Sequence, residues 1–267
     1  MKMADQAVAS ALAGTLVIRP GAIGDAVVSL PAVEFLRPAE IWCPEQNIPL
    51  FQHLAPARSL YAVGLDSLCL PKVVLERLCR FRRIVSWYGA QREDFRAQVE
   101  GLPFEFHRAI PPEGCPMHAV DYYLAQVGAP PGGVPQLPFR APSAGYAVIH
   151  PFSGSPRKNW PLGNFRAVAD RLARRMPVYW CAGPEEELDE AVRWPDLGGL
   201  ARWLAAAAVY IGNDSGISHL AAACGVPVVA LFGPTDPGVW APRGRVCVMP
   251  FESPPEDVAR VAFELAR

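Results

Sequence analysis

The chain has 267 residues, of which 51% are apolar and 19% charged, and its formal net charge at pH 7 is -1. This length allows one large domain or two of moderate size, each with a sizeable core. The near-neutral charge excludes the global basic field of most nucleic-acid and anionic-membrane binders, while a local basic patch is still compatible with it.

The N-terminal stretch MKMADQAVASALAGTLVIRPG does not fit a secretory signal peptide. Asp5 and Gln6 interrupt its start, and its short apolar run leads into a predicted strand. The sequence contains no run of about 18 uninterrupted apolar residues, so no membrane-spanning helix is predicted. Its seven cysteines are scattered without a C-x-x-C pair, which favours neither a metal site nor a disulfide framework. We therefore expect a protein of the reducing cytoplasm.

Strand-like and helix-like segments alternate along the first half of the chain. In chain order, the sequence predicts a strand at 15–19, a helix at 25–37 that is kinked or broken at Pro31, and strands at 39–43 and 83–87. Residues 44–82 carry only short, ambiguous patterns. A helix at 118–128 is expected to end at Gly128 as its C-cap.

Prolines and glycines crowd the span 129–145, which predicts a linker. We place an N-terminal domain at 1–130, the linker at 131–144 and a C-terminal domain at 145–267. The second half then predicts four strands alternating with four helices: strands at 146–151, 177–183, 209–213 and 227–233, and helices at 161–176, 201–208, 215–225 and 254–267. Near-continuous apolar strands between helices indicate parallel sheets covered on both faces. The predicted fold class is α/β, with two Rossmann-like domains.

The first candidate motif is IRPGAIGDAVVSLPA, residues 18–32, where a glycine-containing turn joins a strand to a helix. Glycines let a ligand approach the backbone, and the amides of a helix N-terminus favour anions. The G-x-G-x-x-G spacing is absent, which disfavours a dinucleotide-binding oxidoreductase. Asp25 is either a helix N-cap or, at a strand end facing a crevice, a general base.

The second motif is IHPFSGSPRKNWPLGNF, residues 149–165. Ser153, Gly154 and Ser155 form a small flexible loop after a strand, and Lys158 follows. Hydroxyls, loop amides and one lysine are the groups that a phosphate cradle needs. The alternative is a polar connecting loop with a surface lysine.

The third motif is YIGNDSGISHLAAACGVPVVALFGPTDP, residues 210–237. Ser215 and His219 are four residues apart and share a helical face near the positive end of the helix. The amides of Ser215 and Gly216 are expected to point toward an anion in the crevice. Alternatively, His219 is a structural residue. A weaker fourth site is the acidic run after the strand at 177–183, where one carboxylate either grips a ribose diol or lies in an exposed helical turn.

These three segments, in this order, resemble glycosyltransferase family 9, the ADP-heptose:lipopolysaccharide heptosyltransferases. The resemblance covers the first forty residues and most of 145–245. It implies a GT-B fold, whose two Rossmann-like domains face a central cleft, with the nucleotide-sugar donor in the C-terminal domain. It also implies transfer of a heptose or related sugar, with inversion and without a metal, from an ADP-sugar to a lipopolysaccharide-core or similar glycan acceptor. The implied location is the cytoplasm, including the inner face of the membrane.

By position, the resemblance implies that Asp25 deprotonates the acceptor and that Lys158 offsets the charge of the leaving group. Arg19 and Gly24 are implied on the acceptor side. The implied donor-binding residues are Ser153, Gly154, Ser155, Glu185, Asp214, Ser215, Gly216 and His219. Glu185 is chosen for the ribose contact, with Glu186 as a near competitor. No metal ligand and no cofactor beyond the donor is expected.

The chain departs from the family pattern between about 44 and 115, where it is shorter. One alternative is therefore a catalytically idle nucleotide-sugar-binding protein, and another is a transferase of the same fold with a different donor or acceptor. The run Arg80, Arg82 and Arg83 either meets acceptor phosphates or carboxylates or is a solvated face. The helix at 254–267 is expected to pack back across the linker.

Overall fold

A computed structural model describes residues 13–267. Most of the stretch on which the signal-peptide expectation rests, residues 1–12, lies outside the described residues. Within residues 13–267, ten strands form two five-stranded sheets, and every strand pairing is parallel. None of the helices in this range is both long and apolar enough to cross a membrane.

The first sheet belongs to the N-terminal half of the chain. Its strands are β1 (Ala13–Ile18), β2 (Glu40–Cys43), β3 (Ala57–Ser59), β4 (Phe81–Ser86) and β5 (Phe104–Phe106), in the spatial order β3-β2-β1-β4-β5. The helices of this half are α1 (Ile23–Leu36), α2 (Ile48–Phe51), α3 (Lys72–Leu78), α4 (Glu93–Gln98) and α5 (Ala119–Gln126). This strand order is that of the Rossmann mononucleotide-binding unit.

The second sheet belongs to the C-terminal half. Its strands are β6 (Ala147–His150), β7 (Val178–Trp180), β8 (Val209–Asn213), β9 (Val228–Phe232) and β10 (Val246–Pro250), in the order β10-β9-β8-β6-β7. Its helices are α6 (Leu162–Leu172), α7 (Leu197–Ala205), α8 (Gly216–Ala223), α9 (Pro237–Trp240) and α10 (Pro255–Leu265). No regular helix or strand occurs between 131 and 144.

The strand orders fix where a ligand can bind. The chain reverses its direction across the first sheet between β1 and β4, and across the second sheet between β6 and β8. In open parallel sheets, ligands bind in the crevice outside the carboxyl ends of the strands at such switch points. Each of the three sequence motifs spans one of these strand ends, at the carboxyl ends of β1, β6 and β8.

Helix α1 links the two halves of the molecule. It runs through Pro31 without a break, so the predicted break is wrong. The ring of Pro31 packs against the linker, where a Cβ built on Gly133 would lie 2.9 Å from Pro31 Cβ. Helix α1 packs on α5 of its own half and on α8 of the other half. One core cluster therefore contains residues of both halves, including Val28 and Leu220.

The C-terminal helix α10 does not pack across the linker, and that expectation is wrong. It packs against α6 and against strands β8 and β9 of the second sheet. Its buried residues Val258, Ala259 and Ala262 join a cluster that also contains Ile149 and Phe165. The apolar face of this amphipathic helix is therefore buried within the C-terminal half.

Candidate active site

A cavity of about 990 Å³ lies between the two halves, at the carboxyl ends of both sheets. Its N-terminal wall is formed mainly by Ala22, Ile23, Gly24, Asp25, Val28, Glu45, Gln46, Pro49 and Ile110. The other wall includes His150, Ser153, Gly154, Lys158, Gly183, Pro184, Glu186, Trp194, Pro195, Leu197, Asp214, Ser215, Gly216, Ile217 and His219. The three motifs therefore meet in one space.

Asp25 is the third residue of α1, and Ala22 is the N-cap. The Asp25 carboxylate accepts a hydrogen bond from the Ala22 amide, with Oδ2 2.9 Å from the nitrogen, and it also lines the cavity. The carboxylate therefore makes a capping contact from inside the helix and still faces the space where a substrate would lie.

Arg19 does not line the cavity, contrary to the expectation that it lies on the acceptor side. Its side chain is 1% exposed, and it donates to Ser29 Oγ at 2.8 Å and to the carbonyl oxygen of Asp25 at 2.8 Å. The guanidinium also lies over the ring of Tyr123, 4.7 Å from its centroid. Arg19 is kept out of the cavity because its guanidinium donors are used in hydrogen bonds to these partners, which hold the start of α1 in place.

Lys158 and Asp214 form an ion pair on the C-terminal wall. Lys158 Nζ lies 2.7 Å from Asp214 Oδ2, and the Thr235 hydroxyl donates to the same oxygen at 2.7 Å. The Asp214 side chain is 7% exposed, whereas that of Lys158 is 33% exposed. An ammonium group carries three donors, so Lys158 retains protons for a further anion in the cavity.

The loop after β6 is crossed by its own hydrogen bonds. The Ser153 hydroxyl lies 2.7 Å from Asn159 Oδ1 and 2.8 Å from the Ser155 carbonyl oxygen. Ser153 and Gly154 line the cavity, but Ser155 does not. Asn213 joins this loop to the end of β8 by donating to the Pro151 carbonyl oxygen at 2.8 Å.

Helix α8 begins at the cavity wall with Ser215 as its N-cap. The Ser215 hydroxyl accepts from the Ser218 amide at 3.4 Å, and Gly216 opens the helix. Amides in the first turn of a helix have no intrahelical partner and favour anions. His219 follows one turn later, and burial lowers its pKa against the opposing effect of the Asp214 charge. Its imidazole is therefore neutral at neutral pH.

The structure brings Glu186 rather than Glu185 to the cavity. Glu185 is exposed and does not line it, whereas Glu186 Oε2 accepts from the Gly183 amide at 2.5 Å. His150 Nε2 lies 3.0 Å from the same oxygen. Sequence reasoning missed His150, although its place as the last residue of β6 at a switch point was a usable signal.

Glycines allow the N-termini of α1 and α8 to touch across the cavity floor. A Cβ on Gly24 would lie 3.4 Å from Gly216 Cα and 3.9 Å from His219 Cδ2. This contact places Asp25, the residue after Gly24, beside the anion-favouring start of α8.

The basic run at 80–83 lies elsewhere. Arg80 and Arg82 are exposed, and Arg83 pairs with Glu105 through two bonds of 2.7 and 2.6 Å. None of the three lines the cavity. Among residues 13–267, no group of three or more histidine, cysteine, aspartate or glutamate side chains is arranged to hold a metal ion.

Comparisons with known proteins show which family this chain is similar to. Residues 134–249 match the model of glycosyltransferase family 9 (heptosyltransferase). Lipopolysaccharide heptosyltransferase 1 of Pseudomonas aeruginosa is 32% identical over 182 residues, which are 59% of this chain and 50% of the relative. Lipopolysaccharide heptosyltransferase 1 of Escherichia coli strain K12 is 35% identical over 124 residues, which are 40% of this chain and 39% of that protein. The matches to these curated relatives thus span half of their length or less.

Two solved structures share the fold over nearly the whole chain. E. coli ADP-heptose lps heptosyltransferase II has a TM-score of 0.73 and 17% identity, covering 95% of this chain and 98% of that one. E. coli heptosyltransferase WaaC with ADP has a TM-score of 0.67 and 19% identity, covering 94% and 99%. The two sheets facing one cleft are therefore a GT-B fold, as the resemblance implied. In sequence, residues 134–249 are similar to glycosyltransferase family 9.

Proposed function

We propose that this protein is an inverting glycosyltransferase that moves a heptose or related sugar from an ADP-sugar to a lipopolysaccharide-core or similar glycan acceptor. One observation carries the proposal: the Asp25 carboxylate and the Lys158–Asp214 pair line one cavity from opposite domains. The names of the relatives support the donor and acceptor classes, since two are lipopolysaccharide heptosyltransferases and one solved neighbour contains ADP.

The C-terminal wall suits a nucleoside diphosphate. The first-turn amides of α8 and the spare donors of Lys158 would hold the two phosphates. The Glu186 carboxylate would accept hydrogen bonds from the ribose, as an acidic residue does in many nucleotide-binding folds. An apolar stretch beyond it, formed by Pro184, Trp194, Pro195 and Leu197, would cover the base.

The N-terminal wall would hold the acceptor. Asp25 would take the proton of the attacking acceptor hydroxyl, while the oxygen of that hydroxyl forms a bond to the anomeric carbon. The bond from that carbon to the diphosphate oxygen breaks in the same step, and ADP leaves toward Lys158 and the α8 amides. A single displacement of this kind inverts the anomeric configuration. Stabilising the developing diphosphate charge in a closed cleft would be a large part of the rate enhancement.

The proposal includes transfer without a metal, in the cytoplasm and at the inner face of the membrane where a glycolipid acceptor is accessible. One neighbour, TibC of enterotoxigenic E. coli, is described as iron-containing, so the metal question needs its own measurement. Transfer that continues unchanged after treatment with a chelator would support the metal-free mechanism. Loss of transfer that added Fe²⁺ or Mg²⁺ restores would contradict it.

The donor class is tested by thermal shift with ADP, UDP, GDP and NAD, followed by transfer assays with ADP-heptose and a panel of glycan acceptors. We expect ADP to raise the melting temperature most, and the product to have the opposite anomeric configuration in its NMR spectrum. Stabilisation by UDP or NAD but not by ADP would overturn the heptose proposal. Binding of ADP-heptose without transfer to any acceptor would favour the idle binding protein.

A further inference from the structure

His150 occupies a costly position for a polar side chain. It ends β6 at the switch point of the second sheet and is only 3% exposed. Its Nε2 lies 3.0 Å from Glu186 Oε2, and its Nδ1 is buried without a hydrogen-bond partner. Buried polar atoms are nearly always paired, so an unpaired one calls for a compensating role.

The contacts define the tautomer. The Gly183 amide already donates to Glu186 Oε2, and an ionised carboxylate only accepts hydrogen bonds. The proton of a neutral His150 therefore sits on Nε2, and Nδ1 is a bare acceptor. Burial alone would raise the pKa of Glu186, but the His150 hydrogen bond and the nearby charges outweigh it, so the net pKa is lowered. Glu186 is thus ionised at neutral pH.

The same contacts fix the orientation of the carboxylate. Both hydrogen bonds that Glu186 receives end on Oε2, and none in the described part of the chain ends on Oε1. Glu186 is half-buried and lines the cavity. One oxygen is therefore held by the protein, and the other is available to a ligand.

We propose that His150 is a positioning residue that turns the free oxygen of Glu186 toward the ribose 2′- and 3′-hydroxyls of the donor. This inference rests on the proposed function, since it assumes a ribonucleotide on the C-terminal wall. A carboxylate oxygen has two lone pairs and accepts from two adjacent hydroxyls. Without His150, the Glu186 side chain gains freedom to rotate, and the hydroxyls lose an oriented acceptor.

The test compares ligands that differ only in these hydroxyls. Dissociation constants for ADP and 2′,3′-dideoxy-ADP are measured by calorimetry on the wild type, His150→Phe, His150→Gln and Glu186→Gln. We expect His150→Phe to weaken ADP about tenfold, in the range of a lost hydrogen bond to a charged group, and to leave the dideoxy ligand unchanged. His150→Gln keeps a donor near the Nε2 position and should restore most of the loss. Glu186→Gln should match His150→Phe, and combining the two should add little.

The matched control is His107→Phe. His107 also has a buried, unpartnered Nε2, but it lies beside Trp87 in the N-terminal half and does not line the cavity. The His107→Phe variant should bind ADP with the same affinity as the wild type. If His150→Phe does not fold, His150→Asn serves instead, because its shorter amide does not reach Glu186.

A separate spectroscopic readout does not depend on the nucleotide. The ¹⁵N shifts of His150 should show the Nε2–H tautomer in the wild type and should change in Glu186→Gln. Equal losses for ADP and dideoxy-ADP, or an Nδ1–H tautomer, would overturn the inference while leaving the proposed function intact. If the wild type binds no nucleoside diphosphate, the proposed function fails and the inference fails with it.

Discussion

Gly24 and Gly216 bring the two domains into backbone contact at the floor of the cleft. A Cβ built on Gly216 would lie 2.8 Å from the Gly24 nitrogen and 3.0 Å from Ile23 Cβ. Real Cβ atoms do not approach a backbone this closely. The absence of a side chain therefore lets the starts of α1 and α8 meet, and the proposed base Asp25 lies beside the proposed diphosphate site.

Gly216→Ala should separate the two helices. We expect a loss of about 1–3 kcal/mol in the free energy of unfolding, as for other overpacked contacts, together with weaker ADP binding. Gly163→Ala is the matched control, because a Cβ there meets nothing within 4 Å and the residue lies in the first turn of α6. That substitution should stabilise by about 0.4–1 kcal/mol. Urea unfolding of both variants checks this, and equal effects would argue against the contact.

Asp25→Asn should separate catalysis from capping. The Asn carbonyl oxygen can still accept from the Ala22 amide, but the side chain no longer takes up a proton. We expect transfer to fall by about 10²–10⁴, the usual contribution of a general base, with ADP affinity and stability preserved. Asp25→Ala should lose transfer equally and also about 1 kcal/mol of stability with the capping contact. Unchanged turnover in Asp25→Asn would remove Asp25 from the proposed role.

Much of the fold was predictable because the apolar strands carry their own signal. The strand at 209–213 was predicted with the bounds that the structure has, and each of the other strands and helices predicted in the second half overlaps an observed one, whereas α9 and β10 were not predicted. The stretch 44–82 was not, since α2 has four residues and β3 three, which are too few to show a period. Short elements of this kind are defined by tertiary packing.

The positions of candidate site residues could be predicted where those residues follow a strand. They could not be predicted where contacts with distant residues determine the orientation of the side chain. Asp25, Lys158 and Asp214 follow strands that the sequence revealed, and the structure brings all three to the cavity. Arg19 was misplaced because its burial depends on tertiary partners, among them Ser29 on the next helix and Tyr123, which lies far along the chain. The choice between Glu185 and Glu186 depended on the geometry of one turn, and that turn is fixed by His150, 36 residues away.

Substitutions in the Lys158–Asp214 pair should affect the free energy of unfolding and the affinity for ADP separately. Lys158→Met leaves the buried Asp214 carboxylate with the Thr235 hydroxyl alone, so we expect a loss of about 1–3 kcal/mol in unfolding free energy and at least about tenfold weaker ADP binding. Adding Asp214→Asn removes the unpaired charge and should recover much of the stability but none of the affinity. Chemical unfolding and calorimetry on the single and double variants check this. Recovery of ADP affinity in the double variant would show that Lys158 does not contact the diphosphate.

The ion pair between Asp121 and Arg243 joins α5 to the loop before β10, and Arg243 also donates to the Gly133 carbonyl oxygen at 2.9 Å. Hydrogen bonding from Arg243 lowers the pKa of Asp121. A lowered folded-state pKa gives stability that is present above the unfolded-state value of about 3.9 and is lost as pH falls through the folded value. Stability measured from pH 7 to 2 should therefore fall less steeply below about pH 4 in Asp121→Asn than in the wild type. Parallel curves would contradict this.

Arg19→Lys should show that a positive charge at this position is not enough to maintain the stability of the fold. The Arg19 guanidinium donates to Ser29, to the Pro20 carbonyl oxygen at 2.9 Å and to the Asp25 carbonyl oxygen, and a lysine cannot reproduce that planar set of donors. We expect a loss of about 3 kcal/mol in unfolding free energy, because a charge would be left buried with incomplete hydrogen bonding. Arg82→Lys, at an exposed position of β4, is the control and should stay within about 0.5 kcal/mol of the wild type.

Arg19→Lys should also affect catalysis, because Arg19 holds the backbone of Asp25. In transfer assays on the folded variant, we expect kcat to fall and KM to change less than kcat. A rise in KM with kcat unchanged would instead place Arg19 in acceptor binding.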